Sequence, residues 1–135
     1  MPAERQHRFF ADESVLGLGM GLARLRPDVL HPGHPLIPEV PKGALDEDWI
    51  PLVAGRGLIA IGRDKRVRTR PAERRAIVDS RLRYIWIGGK KDLSSWEWAR
   101  RLARDWDKIE ALIVKLGPGP WFITLNQAGP VFSYP

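Results

Sequence analysis

Apolar residues along this chain fall into two rhythms: short continuous runs, and longer stretches of helical period. Phe9, Phe10 and Ala11 make the first run, within residues 8–12, and predict a short buried strand. Glu13-Ser14 then offers a helix start with Ser14 as cap. Val15, Leu16, Leu18, Leu22, Ala23 and Leu25 follow at mostly helical spacing until Pro27. Gly17, Gly19 and Gly21 weaken that helix. Residues 28–31 read as a second, brief strand. Residues 32–43, with four prolines and two glycines, read as a rigid loop.

Asp46 is expected to cap the next helix, whose Trp49, Leu52 and Val53 share a side. Pro51 fits there only in the first turn, where its missing N–H is not needed, and Gly55 or Gly57 stops the helix. Residues 58–61 are apolar throughout, as in a central parallel strand covered on both faces. A basic loop then runs to Arg70, and Pro71 begins a helix through about Asp79 with Ala72, Ala76 and Ile77 facing in. Residues 84–87 are the next strand, closed by Gly88-Gly89.

The longest helix opens on a capping box, Ser94-Ser95-Trp96-Glu97. It carries Trp98, Leu102, Trp106, Ile109, Ile113 and Leu116 at intervals of three and four. Glu97 and Arg101 stand at the favourable i,i+4 spacing, and Lys115, Gly117 and Pro118 end the helix. Residues 121–125 form a last core strand, and residues 131–135 a tail read as an edge strand or a docking segment. Strands alternating with helices in this way predict a three-layer α/β sandwich around a central, mainly parallel five-stranded sheet.

Composition narrows the picture. At 135 residues the chain is expected to be one domain, residues 1–135, with a core that needs no staples. Without cysteine there are neither disulfides nor thiolate metal sites, which agrees with a reducing cytoplasm. Residues 1–8 lack the apolar segment of a signal peptide, and no run reaches the ~20 apolar residues that span a bilayer, so no membrane partner is expected. Residues 63–83 hold nine Lys or Arg against three acids, which equals the whole formal excess of +6. Cation concentrated in one stretch suits a polyanion, and nucleic acid is the commonest.

The candidate chemistry is acidic. Asp12 and Asp64 each follow an apolar strand, and in an open parallel sheet ligands bind outside the carboxyl ends of the strands. Asp46 and Asp48 open the helix that feeds the Asp64 strand, so topology brings all four to one rim. Carboxylates gathered in a cleft need a cation among them, and an oxygen-only set suits Mg²⁺ or Mn²⁺. Lys65, Arg66, Arg68 and Arg70 flank Asp64 and are the candidate phosphate contacts. Taken singly, Asp46 is equally a helix cap, Asp48 a first-turn acid favoured by the helix dipole, and Glu13 a helix-start residue.

Three further stretches carry less. Gly17-Leu18-Gly19-Met20-Gly21 fails the dinucleotide fingerprint, since Leu22 stands where a third glycine belongs. His31 and His34 flank Pro32-Gly33 with no third ligand nearby in sequence. Among the tryptophans, Trp49, Trp98, Trp106 and Trp121 read as core, and Trp96 is left open as a base-stacking platform.

The chain resembles PIN-like domains, in particular the VapC-type toxins of prokaryotic toxin–antitoxin pairs. The likeness rests on Phe9-Phe10-Ala11-Asp12-Glu13, on residues 46–52, on residues 58–66 and on Arg70-Pro71-Ala72-Glu73, and covers residues 8 to about 90. It implies a Mg²⁺-dependent endoribonuclease of a type II toxin–antitoxin system, held inactive by a cognate antitoxin, in a family that often forms homodimers. By position, Asp12 and Asp64 match the family's strand-end acids, and Asp46, with Asp48 beside it, matches its helix acid. A further acid is usual beyond the Asp64 strand. The rim after residues 84–87 offers Gly88-Gly89-Lys90-Lys91 before Asp92, and Asp92 is not assigned. Two rival expectations are a PIN fold that binds RNA or a partner without cleaving, and a receiver-like phosphoacceptor domain. The receiver reading lacks the Lys after the last strand, where Asn126-Gln127 stands.

Overall fold

The structure, a computed structural model, describes residues 7–64, 66–89 and 93–135. A six-stranded sheet runs through its centre in the order β2-β1-β3-β4-β5-β6. The strands are β1 (Phe9–Ala11), β2 (Val29–Leu30), β3 (Ile59–Gly62), β4 (Arg83–Ile87), β5 (Trp121–Asn126) and β6 (Gly129–Ser133). All neighbours pair parallel except β5 and β6, which form an antiparallel hairpin. The sixth strand comes from the tail, so the sheet has one strand more than the pattern predicts.

Period-two alternation assigns the two cores. Phe9, Ile59, Ile61, Ile85, Ile87, Trp121, Ile123 and Leu125 face helices α1 (Leu16–Leu25) and α5 (Ser95–Leu116). Phe10, Leu58, Ala60, Tyr84 and Phe122 face α2 (Asp46–Gly55), the short α3 (Arg66–Thr69) and α4 (Pro71–Ser80). Both faces are covered, which is why the central strands carry no polar alternation. Ile37 and Val40, fully buried, anchor the proline-rich loop into the second core.

Several local expectations are corrected. Asp46 is the first residue of α2 rather than its cap; Leu45 holds the cap position, and the Asp46 carboxylate accepts from Trp49 Nε1 at 2.9 Å. Ser14 sits inside a 3₁₀ turn, Glu13–Val15, that Asp12 caps. The basic loop contains α3. On α4, Ile77 is buried and Ala76 packs partly buried against the second core as expected, but Ala72 is exposed and the second buried residue is Glu73, four before Ile77. On α5, Ser94 caps as expected, accepting from Glu97 N–H at 3.2 Å, but Glu97 pairs with Arg100 at 2.8 Å while Arg101 donates to Gly88 O. The buried stripe Leu102, Ile109 and Ile113 is the one its period marked. His31 and His34 meet edge to face at 5.1 Å, and each ring's Nδ1 is engaged by neighbouring main chain.

Strand order places the site. The chain steps from β1 outward to β2, then returns past β1 to β3, so the two connections diverge between β1 and β3. At such a reversal the loops beyond the carboxyl ends splay apart and leave a crevice. Helix α1 packs close on β1: a Cβ at Gly19 would stand 2.6 Å from Ala11 Cβ. The glycine that weakens α1 as an isolated helix is what lets it lie that near.

Candidate active site

A cleft of about 530 Å³ opens at that crevice, lined by Asp12, Glu13, Ser14, Ala44, Leu45, Asp46, Glu47, Asp64, Arg70 and Glu73. Six carboxylates and one guanidinium therefore share one hollow in a chain of net charge +6. Asp12, Asp46 and Asp64, far apart in sequence, meet there. Arg70 is inside the cleft as well. Asp48, on the exposed side of α2, does not line it. Arg68 lies elsewhere: its guanidinium sits 5.1 Å over Trp86 and 4.9 Å over Phe122 and donates to Thr124 Oγ1. Lys65, the Arg66 side chain and residues 90–92, Asp92 among them, lie outside the described residues.

Asp12 is the most constrained of the acids. Its own N–H extends the ladder, donating to Ile61 O at 2.8 Å. The residue is 3% exposed, and its carboxylate is engaged on both oxygens. Oδ1 accepts from Ser14 N–H at 2.9 Å and from the Ser14 hydroxyl; Oδ2 accepts from Tyr84 Oη at 2.6 Å. Ser14 Oγ in turn accepts from Arg63 N–H at 2.8 Å, tying the turn after β1 to the end of β3. Burial pushes the Asp12 carboxyl up to about 6, with a further push from the Asp46 charge. The Ser14 and Tyr84 hydrogen bonds favour the ionised form and hold the rise back. Tyr84 is driven well above the ordinary phenol value by burial, then by the charge and hydrogen bond of Asp12, then by Asp46 and Asp64. It therefore stays protonated and acts as a donor to Asp12.

Gly62 makes this meeting possible. It is the last residue of β3, between Asp12 and Tyr84 across the neighbouring strands. A Cβ there would overlap both Tyr84 Oη and Asp12 Oδ2.

The other acids come from helix starts and a turn. Asp46 and Glu47 open α2, whose amino end points its dipole at the cleft. Glu73 is the third residue of α4, behind Pro71, and is 8% exposed, with Arg70 Nη1 at 3.9 Å. Glu13 accepts from Gly43 N–H through both oxygens, at 3.1 and 2.9 Å, and so ties the proline-rich loop to the rim. Glu73, Glu47, Tyr84 and Ser14 were not among the site residues expected from sequence, which read Ser14 only as a helix cap and Glu73 only as part of a helix start. For Glu73 a signal existed: a first-turn acid two residues after a helix-starting proline, in a helix that follows the Asp64 strand. It supplies an acid beyond that strand.

The donor chemistry fits a hard divalent ion, since every ligating group in the cleft is an oxygen. Among the described residues, however, no three acidic or imidazole side chains stand together as a ready cage. Mg²⁺ commonly keeps much of its water and takes one or two carboxylates directly, which an open, acid-lined hollow can provide.

The class of protein is thus an open α/β sheet with an acid-lined cleft at its strand reversal. The profile of the PIN-like domain matches residues 7–89, more than half of the chain, and the chain belongs to that family. PIN-like domains are commonly metal-dependent nucleases. No curated protein and no solved structure matches the chain.

Tyr84→Phe is expected to leave the fold intact and move Asp12 further from its usual carboxyl range. It removes a donor that favours the charged form, at a cost of about 1–2 kcal/mol. Thermal melts of both proteins from pH 4 to 8, in chelator, check this: the variant's pH-dependent loss of stability continues to higher pH than the wild type's.

Proposed function

We propose that this protein is a Mg²⁺-dependent endoribonuclease acting in the cytoplasm as the toxin of a type II toxin–antitoxin pair. The observation that carries the reading is the convergence of Asp12, Asp46, Asp64 and Glu73 on one cleft at the β1/β3 reversal. In a PIN-like domain, that is where an acidic metal site belongs. Asp12 and Asp64, each on a strand end, are the direct ligands of choice, with Asp46 from α2. When bound, the ion supplies positive charge against a phosphate and a water of lowered pKa.

The chain's own contributions are positional. Ser14 and Tyr84 clamp Asp12 so that it cannot swing away. Trp49, 3% exposed and packed 5.4 Å from Phe10, holds the Asp46 carboxylate through its indole N–H. Arg70 brings a cation into the cleft where an anionic backbone must approach an acidic rim. The cationic stretch 63–83 begins at that rim, which supports RNA as the polyanion and a cognate antitoxin as the partner that masks it.

The test is cleavage of a labelled RNA over a Mg²⁺ series, with Mn²⁺ in parallel. Cleavage should rise with metal and vanish in excess chelator. RNA left intact at every metal concentration, by a protein that still binds it, would replace the nuclease with a silent RNA binder. That second reading draws on the lack of a ready three-carboxylate cage among the described residues. For the toxin role, a small overlapping reading frame encoding a DNA-binding protein is the expected genomic neighbour.

A further inference from the structure

Several arginines are matched by acids: Arg8 by Glu110, Arg26 by Asp28, Arg56 by Glu39 and Arg100 by Glu97. Arg104 is spent in the same way, on Asp105 and on the carbonyls of Asn126 and Gln127. Arg68 and Arg101 are held by uncharged groups instead. Arg101, from α5, donates to Gly88 O at 2.8 Å. Arg68, from α3, lies over the Trp86 and Phe122 rings and donates to Thr124 Oγ1 at 3.3 Å. Among the described residues, neither pairs with a carboxylate. A guanidinium is always charged and carries five N–H donors, so both keep their charge and spare donors.

Their places coincide. Thr124 stands opposite Trp86 in the β4–β5 ladder, and Gly88 lies two residues beyond Trp86, about 7 Å along the strand. The two cations therefore reach the same strand end, Arg101 from the α5 face of the sheet and Arg68 from the α4 face. Gly89 lets Arg101 lie there, since a Cβ at that position would stand 2.7 Å from its Nη1. Arg63, the residue after β3, stands between this strand end and the cleft. Its guanidinium is 5.2 Å over Trp98, with Nη2 3.4 Å from Gly89 O. Residues 116–135 contain no charged side chain, so β5 and β6 bring no acid to the rim. The rim thus changes sign along its length: carboxylates after β1 and β3, guanidiniums at the end of β4 and β5.

We infer that Arg68 and Arg101 grip the sugar–phosphate backbone of an RNA strand where it passes from the acid cleft over the carboxyl ends of β4 and β5. The inference rests on the RNA reading above and adds the path that the strand takes. A strand with one phosphate among carboxylates needs cations for the phosphates next to it. Arginine suits them because its planar fork offers paired donors. The path is continuous with the cleft: α3, which carries Arg68, lies between Asp64 and Arg70, and both of these line the hollow. Both forks are fixed before RNA arrives, one by aromatic rings and one by a main-chain carbonyl, so less side-chain freedom is lost on binding.

The test is fluorescence anisotropy of a labelled single-stranded RNA with the full chain, in chelator, over a salt series, so that no cleavage is needed. Arg101→Gln and Arg68→Gln should each weaken binding several-fold at low salt. Each should also lower the slope of log affinity against log salt by about 0.7, and the double variant should lower it by about 1.4. Arg81→Gln removes the same charge where α4 ends, before β4 begins, and should change neither. Arg101 tethers a single carbonyl, so its variant decides the matter if loss of the Arg68 stacking disturbs the fold. A folded Arg101→Gln with the wild-type slope would overturn the inference and leave the nuclease reading standing; the surface would then suit an acidic protein instead. A wild type that cuts no RNA, but whose two variants show the lowered slopes, would sustain the inference and remove the nuclease. A wild type that binds no RNA would remove both.

Discussion

Asp12→Asn is expected to abolish RNA cleavage and, in chelator at pH 8, to raise the melting temperature of the same protein. The two effects share a cause. The carboxyl is buried at the end of β1 and titrates at about 6, against 3.8 for a free aspartate. A folded-state value raised above the unfolded one means that the folded protein binds the proton more tightly. Stability is then greatest below about pH 4, falls as pH rises from 4 to 6, and stays low above. Through that window the ionised carboxylate costs on the order of 3 kcal/mol relative to its protonated form.

Asparagine carries no charge and keeps the shape. Its Oδ1 accepts from Ser14 as before, and the Tyr84 hydroxyl can turn to accept from the amide. The variant should lose the 4-to-6 decline and gain over wild type only above it. Cleavage should fall by more than ~100-fold, because removing even an outer group around a metal costs roughly 10–100-fold and Asp12 is proposed as a direct ligand. Unchanged cleavage in a folded Asp12→Asn would take Asp12 out of the mechanism. Matching pH–stability curves would show that the carboxyl ionises in the fold without penalty.

Gly62→Ala should damage fold and site together through a single methyl. Its Cβ would enter the space that Tyr84 Oη and Asp12 Oδ2 already occupy, 2.7 Å from Asp12 Cγ. None of these atoms is the loose end of a flexible side chain. Tyr84 is fully buried against Phe122, their rings 5.7 Å apart, and Asp12 is clamped by Ser14. The fold must either break the buried hydrogen bond or shift β3, for about 2–5 kcal/mol of lost stability and no cleavage from what remains folded. Adding Tyr84→Phe removes one of the two obstructions, so the double variant should lose less than the sum of its parts. A Gly62→Ala protein that melts with the wild type would mean that the strand ends are further apart than the structure has them.

Much of the scaffold was legible in residue order. Apolar runs and helical stripes are local properties, and the alternation of strand with helix leaves little choice but a parallel sheet with helices on both faces. The stripe from Trp98 to Leu116 and the burial of residues 58–61 needed nothing else. Asp12 and Asp64 could be named because the rim of a parallel sheet is where its strands end. Asp48 shows the limit of that reasoning. It lies two residues along the helix from Asp46, and a helix turns about 100° per residue, so Asp46 reaches the cleft and Asp48 faces solvent. Arg68 is a similar case: a loop cation by sequence, it sits on Trp86 and Phe122 because α3 turns it there.

Sequence alone determined the five central strands and the four longer helices, though not α3 or the pairing of β6; it also determined that both faces of the sheet are covered and that the positive charge is concentrated beside Asp64. Only the tertiary structure decided which acids meet. Glu73 joins them because α4 buries Glu73 with Ile77 and leaves Ala72 exposed, and Tyr84 reaches Asp12 because β1, β3 and β4 lie side by side with a glycine between. Contacts across strands depend on register and on the space a missing side chain leaves, and neither is written in the order of residues along one strand.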